Sequence, residues 1–302
     1  MHKDTDLVEI YFIIDNFFKD FDIILDKNGI CGPKKKRNRK FTMSKSEIAT
    51  ICILFHQSRY KEFKAFYLNQ ICKHMGNDFP NLVSYNRMVE LQKSIALPLL
   101  LLFKMKLLGN CTGITYIDST PIKVCNIHRE HSNKVFKGIA NKGCSSMGWF
   151  YGFKLHLIHN DEGYIIDFLV TPGNIHDNNA LQNKSFIEKI YGKLFGDKGY
   201  IVKKDIFESL FMNGLHLITK LRRNMKSQCL TPLYDAYLLR KRAITETIID
   251  QLKNISQIEH SRHRSFVNFF VNLICGLTAY QLKDKKPSLR FDLFDTKQLC
   301  LF

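Results

Sequence analysis

Three acidic residues stand where an α/β chain keeps its chemistry. Asp118 closes the apolar run Gly113-Ile-Thr-Tyr-Ile and is followed by Ser119-Thr120, while Asp197 lies in Lys193-Leu-Phe-Gly196-Asp197-Lys198-Gly199-Tyr200. Both read as the ends of short buried strands, and in an open α/β sheet ligands bind beyond the carboxyl ends of strands. The glycines beside Asp197 let backbone approach a ligand closely. Glu246 sits in Arg242-Ala-Ile-Thr-Glu246-Thr-Ile-Ile-Asp250-Gln-Leu-Lys253. On a helix, Arg242, Glu246, Asp250 and Lys253 fall within about 80° of one another, with Ile244, Ile248, Leu252 and Ile255 on the other side. Two Asp and one Glu are hard oxygen ligands suited to Mg²⁺, and Mn²⁺ accepts the same donors. Two such ions can clamp an in-line displacement at phosphorus. Plainer roles stand beside these: a helix N-cap for either Asp, and an exposed ion-paired helix face for Glu246.

The rest of the composition suits a phosphate polymer. The 302 residues carry 45 Lys+Arg against 28 Asp+Glu, a formal charge of +17, which attracts nucleic acid or an anionic membrane surface and argues against a small neutral substrate. The cations cluster. Lys34-Lys35-Lys36-Arg37-Asn38-Arg39-Lys40 has six basic residues in seven, Arg222 and Arg223 lie between Lys220 and Lys226, and Arg262 and Arg264 lie in His260-Ser-Arg-His-Arg264. Each reads as a phosphate contact, or else as a solvated linker or surface. Ser265 to Leu282 carries no charge, but Asn268 and Asn272 share one helical face. It reads as a buried helix, so no membrane partner is expected. Nine scattered cysteines without a Cys-x-x-Cys pair, and a polar start, imply reduced thiols in the cytoplasm. Cys125, His128, His131 and Cys144 come closest to a zinc knuckle and read as loop residues.

The elements that must position the acids follow from periodicity. Leu7, Ile10, Tyr11, Ile14, Phe17, Phe18 and Phe21 recur at three and four, Ser44-x-x-Glu47 has capping-box spacing, and further helices are expected over 60–74 and from Ser84. After Gly109 come a short strand bounded by Gly113 and Pro121, a polar loop over 125–148, and a hairpin of Phe150–His159 with Tyr164–Thr171 around Asp161-Glu162-Gly163. Then follow a helix over 178–191, the Asp197 strand, a helix over 202–212, a strand over 215–221 and a long helix over 235–254. Three strands, helix, strand, helix, strand, helix make an α/β fold with a mixed sheet, a hairpin at one side and flanking helices. The expected division is a helical DNA-binding region over 1–108, a catalytic domain over 109–285 and a tail over 286–302. His176-Asp177 reads as turn chemistry or as a positioning pair near the site. The single Trp149, beside Phe150 and Tyr151, reads as core packing ahead of base stacking.

These motifs resemble those of DDE transposases of bacterial insertion sequences, specifically insertion sequence family 982. The blocks that carry the resemblance are Ile117-Asp118-Ser119-Thr120-Pro121, Val135-Phe136-Lys137-Gly138-Ile139-Ala140, Gly152-Phe153-Lys154-Leu155-His156, Leu169-Val170-Thr171-Pro172-Gly173-Asn174, Lys193 through Tyr200, and Gln251-Leu252-Lys253-Asn254-Ile255. The resemblance implies an RNase H-like catalytic domain, with Asp118, Asp197 and Glu246 as ligands of two Mg²⁺ or Mn²⁺ ions. Water would hydrolyse a phosphodiester at a transposon end, and the freed 3′-hydroxyl would attack target DNA. A homo-oligomer would hold paired ends, in a bacterial cytoplasm and on the nucleoid. Arg242 and Lys253 fit the signature around the glutamate and would contact phosphate there, whereas the signature's tyrosine position is Leu239 and the nearest tyrosine is Tyr237. A structure-selective nuclease of the same fold and an inactive end-binding protein are the alternatives.

Overall fold

The computed structural model describes residues 7–28, 42–220, 232–259 and 263–289. The basic run Lys34, Lys35, Lys36, Arg37, Arg39 and Lys40 lies outside the described residues, as do Arg222, Arg223 and Arg262. The N-terminal region is helical. In α1 (Leu7–Lys27) the three-four stripe buries Ile10, Ile14 and Phe18. The capping box starts α2 (Lys45–Gln57): the Ser44 hydroxyl accepts from the Glu47 N–H, and the Glu47 carboxylate accepts from the Ser44 N–H at 2.6 Å. A continuous helical run follows as α3 (Phe63–Phe66), a π-helical turn and α4 (Cys72–His74); a second, capped by Ser84, contains α5 (Tyr85–Leu91) and α6 (Ala96–Leu102).

The sheet is mixed, with β1 (Ile114–Cys125), β2 (Asn141–Ser145), β3 (Gly148–Asn160), β4 (Ile165–Pro172), β5 (Gly192–Gly196) and β6 (Leu215–Thr219). Its order is β2-β3-β1-β5-β6, and β4 also pairs with β3. β3 is antiparallel to β1, β2 and β4, whereas β1, β5 and β6 run parallel. Between and after the last strands come α7 (Lys184–Ile187), α8 (Lys204–Met212), α9 (Leu233–Lys241), α10 (Ala243–Asp250) and α11 (Phe266–Gln281).

Several elements depart from the sequence expectation for identifiable reasons. β1 continues through Pro121, which pairs with Lys154 of β3. The β5 ladder ends at Tyr116, so beyond it one side of β1 is an open edge where a residue without an N–H is tolerated. The polar loop over 125–148 contains β2, which pairs with the first five residues of β3. The helix expected over 178–191 shrinks to a 3₁₀ turn, Asp177–Gln182, and α7, because Asn178, Asn179 and Asn183 compete for local backbone hydrogen bonds. The long last helix bends at Arg242. That bend lets α9 set Leu238 and Leu239 over Tyr116, Phe195 and Ile218, while α10 crosses toward β1.

Apolar layers form on both faces of the sheet. Ile117, Ile158, Leu194 and Leu217 meet Leu181, Phe186 and Leu210 on one side. On the other, Ile122, Phe153, Leu155 and Leu157 share a core with Ile248, Leu252, Phe269 and residues of α1, α2 and α6. α11 is buried along most of its length and packs against α2 and α6. Among the described residues no helix is long and apolar enough to cross a membrane. Trp149, by contrast, is 63% exposed, so the core-packing expectation for it is corrected: β3 outruns the helices that cover its middle.

One glycine fixes the approach of β5 to β1. Gly192 has φ +80°, and an added Cβ would lie 2.5 Å from the Gly113 carbonyl oxygen. Gly192→Ala is therefore expected to cost about 2 kcal/mol or more, from left-handed backbone strain plus the clash. Urea unfolding followed by far-UV circular dichroism measures it; an unchanged midpoint would contradict this packing.

Candidate active site

The sheet register brings two of the acids together. β1 and β5 pair Ile114 with Lys193, Thr115 with Leu194 and Tyr116 with Phe195. Continuing the register by two residues sets Asp118 beside Asp197. Side chains alternate along strands, so both acids share the face of Tyr116 and Phe195, whose rings stack with centroids 5.4 Å apart. This is the face that α9 and α10 cover. Arg242, at the bend between them, places Nη1 2.9 Å from Asp118 Oδ2 and Nη2 3.9 Å from Asp197 Oδ1. The Ser119 N–H donates to Asp118 Oδ1 at 2.8 Å. Asp197 precedes the 3₁₀ turn Lys198–Tyr200, yet its side chain makes no capping bond. The plainer N-cap role is not taken, and the carboxylate is left half exposed.

Burial pushes the Asp118 carboxyl up to about 6; Arg242 and the Ser119 N–H pull it down, and Asp197 and Asp177 push it further up. Two carboxylates, one of them mostly buried, share a single guanidinium. Among the described residues one guanidinium serves both carboxylates, and the donors are oxygens, which fit a hard divalent cation.

α10, which bears Glu246, contacts the same strand. Its Thr245 hydroxyl meets His159 Nε2 at 2.8 Å. Beyond the helix, Lys253 Nζ donates to the Pro121 carbonyl at 2.8 Å and pairs with Glu259 at 3.0 Å. Arg242 and Lys253 thus grip β1 on either side of Glu246, which lies one turn past Arg242 on the same helix face. Glu246 is exposed and has no hydrogen-bond or ion-pair partner among the described residues. No three His, Cys, Asp or Glu among the described residues gather closely enough to hold a metal ion. The structure therefore joins Asp118, Asp197 and Arg242, and leaves Glu246 on the helix alongside. Asp250 accepts from Asn254 one turn later. Leu239 is buried in the α9 core, and the Tyr237 ring lies under Lys241 Nζ at 5.1 Å. Arg264 is exposed ahead of α11, whereas burial pushes neighbouring His263 down to about 4, against the Phe269 ring.

The opposite face of the same strands carries a polar network that the sequence only hinted at. Lys154 Nζ pairs with Asp177 at 3.0 Å and donates to the Ile175 carbonyl. His156 bridges the Tyr200 hydroxyl at 3.1 Å and the Thr171 hydroxyl at 2.9 Å. A Cβ on Gly199 would lie 3.0 Å from Asp177 Oδ2, so the loop after β4 buttresses the turn that bears Asp197. The available signal was two polar residues, 154 and 156, on one face of an otherwise apolar strand.

Buried histidines make the packing acid-sensitive. Burial lowers His56 and His159 from 6.5 to about 4. The unfolded chain takes up these protons as pH falls below about 6.5 and the folded chain does not, so stability is lost from about pH 6.5 toward 4, by about 2 kcal/mol per histidine at pH 5. Urea midpoints at pH 7 and pH 5 check this. His159→Gln should flatten the fall, and an equal fall in the variant would contradict it.

A family model described as a transposase DDE domain matches residues 108–266, more than half of the chain. No curated protein matches the chain. Among solved structures, the crystal structure of the Mos1 strand transfer complex aligns at 12% identity over 82% of this chain and 79% of that chain, with a TM-score of 0.23, a similarity too slight to bear on the site. The matched span contains β1 through α10, with Asp118, Asp197, Arg242 and Glu246, and the chain belongs to the transposase DDE-domain family.

Proposed function

We propose that this protein is an insertion-sequence transposase of family 982 that cuts DNA at the element's ends and joins them to a target. The observation that carries the reading is the pair Asp118 and Asp197, side by side on one sheet face beneath the helix that bears Glu246. The sheet order supports an RNase H-like catalytic domain over 109–285: three antiparallel strands, β4, β3 and β1, continued by the parallel strands β5 and β6. The helical region over 1–108 would then contact DNA, with Lys34–Lys40 among its cations, and a homo-oligomer would hold two ends.

In the first step water attacks phosphorus and the bond to the 3′-oxygen breaks, leaving a 3′-hydroxyl. In the second that hydroxyl attacks a target phosphodiester and displaces its 3′-oxygen. Two divalent ions held by Asp118, Asp197 and Glu246 would supply Lewis-acid stabilisation of charge on the attacking and leaving oxygens. Arg242 stands between the two Asp, placed to pass from their carboxylates to a DNA phosphate, and Lys253 to meet the next phosphate along. Arg222, Arg223, Arg262 and Arg264 would add backbone contacts that position the duplex.

Strand cleavage and joining on a labelled duplex carrying the element's own ends tests the proposal, with Mg²⁺, with chelator, and with Asp197→Asn. Metal-dependent joined product that disappears in the variant is expected. Cutting without joining would make the protein a nuclease, and end binding without either product would make it a DNA-binding protein.

A further inference from the structure

We propose that the β2–β3 hairpin is a nucleic-acid contact in which the Trp149 indole stacks an unpaired base in the DNA flanking the cut. This rests on the reading that the chain works on DNA. The hairpin is tight: Cys144 pairs with Trp149 and Ser145 with Gly148 across the two-residue loop Ser146–Met147. Gly148 has φ +105°, the Ser145 hydroxyl donates to the Gly148 carbonyl at 3.1 Å, and the Met147 N–H donates to the Ser145 hydroxyl at 3.3 Å. Yet the tip buries little, with Met147 91% and Trp149 63% exposed. A rigid turn holding a large apolar plane in solvent is the form of a stacking platform, since every base offers a π-face.

The charge around it favours nucleic acid. Lys142 Nζ lies 5.4 Å from the Trp149 ring centroid and 3.7 Å from Glu130 Oε1, a long ion pair from which the ammonium would turn to the phosphate of a base stacked on the ring. Lys123, Arg129, Lys134, Lys137 and Lys142 are all exposed, against the single acid Glu130 in that stretch. A second copy of the chain would bring the same cations and be repelled. Position agrees as well. Leu157 is the β3 partner of Asp118, and Trp149, eight residues back along β3, alternates onto the same face. At about 3.3 Å per residue the separation is roughly 26 Å, about the length of eight stacked base pairs.

Trp149 is the only tryptophan in the chain, so its fluorescence reports on this site alone. Titration of the full-length protein with an end duplex bearing a short single-stranded flank should quench it, and the blunt duplex should quench it less. Trp149→Ala should weaken binding to the flanked duplex by about tenfold and leave blunt-duplex binding nearly unchanged; Trp149→Phe should restore most of the loss. DNA binding without a fluorescence change would overturn the proposal. So would a change that follows protein concentration without DNA, which would mean that a second copy covers the hairpin. Absence of binding to any DNA would instead sink the functional reading on which the proposal rests.

Discussion

Glu246→Gln is expected to lower end cleavage by about a thousandfold, about 4 kcal/mol of transition-state stabilisation, while DNA binding stays within a few-fold. The side chain is exposed and unpartnered among the described residues, so the substitution should leave stability within about 0.5 kcal/mol. Lost cleavage would then report on chemistry and not on folding. Rates on a labelled end duplex and a gel-shift titration of the same duplex provide the comparison. Cleavage within tenfold of the parent would remove Glu246 from the site and turn attention to Asp250, one turn further on.

The second large effect concerns Arg242. Among the described residues its guanidinium is the one cation paired with both Asp118 and Asp197, at 2.9 and 3.9 Å, and most of the Asp118–Arg242 contact is shielded from water. Arg242→Ala should destabilise the metal-free protein by about 2–3 kcal/mol at pH 8, because it strands Asp118 as a mostly buried, ionised carboxylate. Asp118→Asn in the Arg242→Ala background should recover most of that loss, since the amide carries no charge to strand. A double-mutant cycle by urea unfolding in chelator would therefore show coupling of about 1–3 kcal/mol. Additive losses would mean that the pair seen here contributes nothing in solution.

Much of the site was legible because it rests on local patterns. The glycine-flanked Asp197 reads directly as the end of β5, whereas Asp118, read as a strand end, is the fifth residue of β1, which runs on to Cys125; Arg242, Glu246 and Lys253 lie along one stretch that spans α10 and the π-helical turn after it. The side-by-side placement of Asp118 and Asp197 was not legible, because it depends on the parallel register of two strands far apart in sequence. Nor was the ion pair of Arg242 with Asp118, which the bend between α9 and α10 creates. Pro121 misled as a strand terminator because the open edge of β1 is a property of the assembled sheet. Trp149 misled because neighbouring aromatic residues signal a core only where something covers them, and β3 extends past its cover. The Lys154, His156 and Asp177 network was half visible, since its members come from three segments that only the sheet brings together.

The most direct test of the central claim is Mn²⁺ binding to the protein without DNA, followed by electron paramagnetic resonance and by thermal shift, for the parent, Asp118→Asn and Asp197→Asn. If both carboxylates hold the ion, as proposed, the parent should bind Mn²⁺ and gain about 2.7 kcal/mol of stability at a hundredfold excess over Kd, and each variant should lose most of both signals. Undiminished Mn²⁺ affinity in the variants would contradict the account, because the acids brought together within β1 and just past β5 would then not be the metal-binding residues.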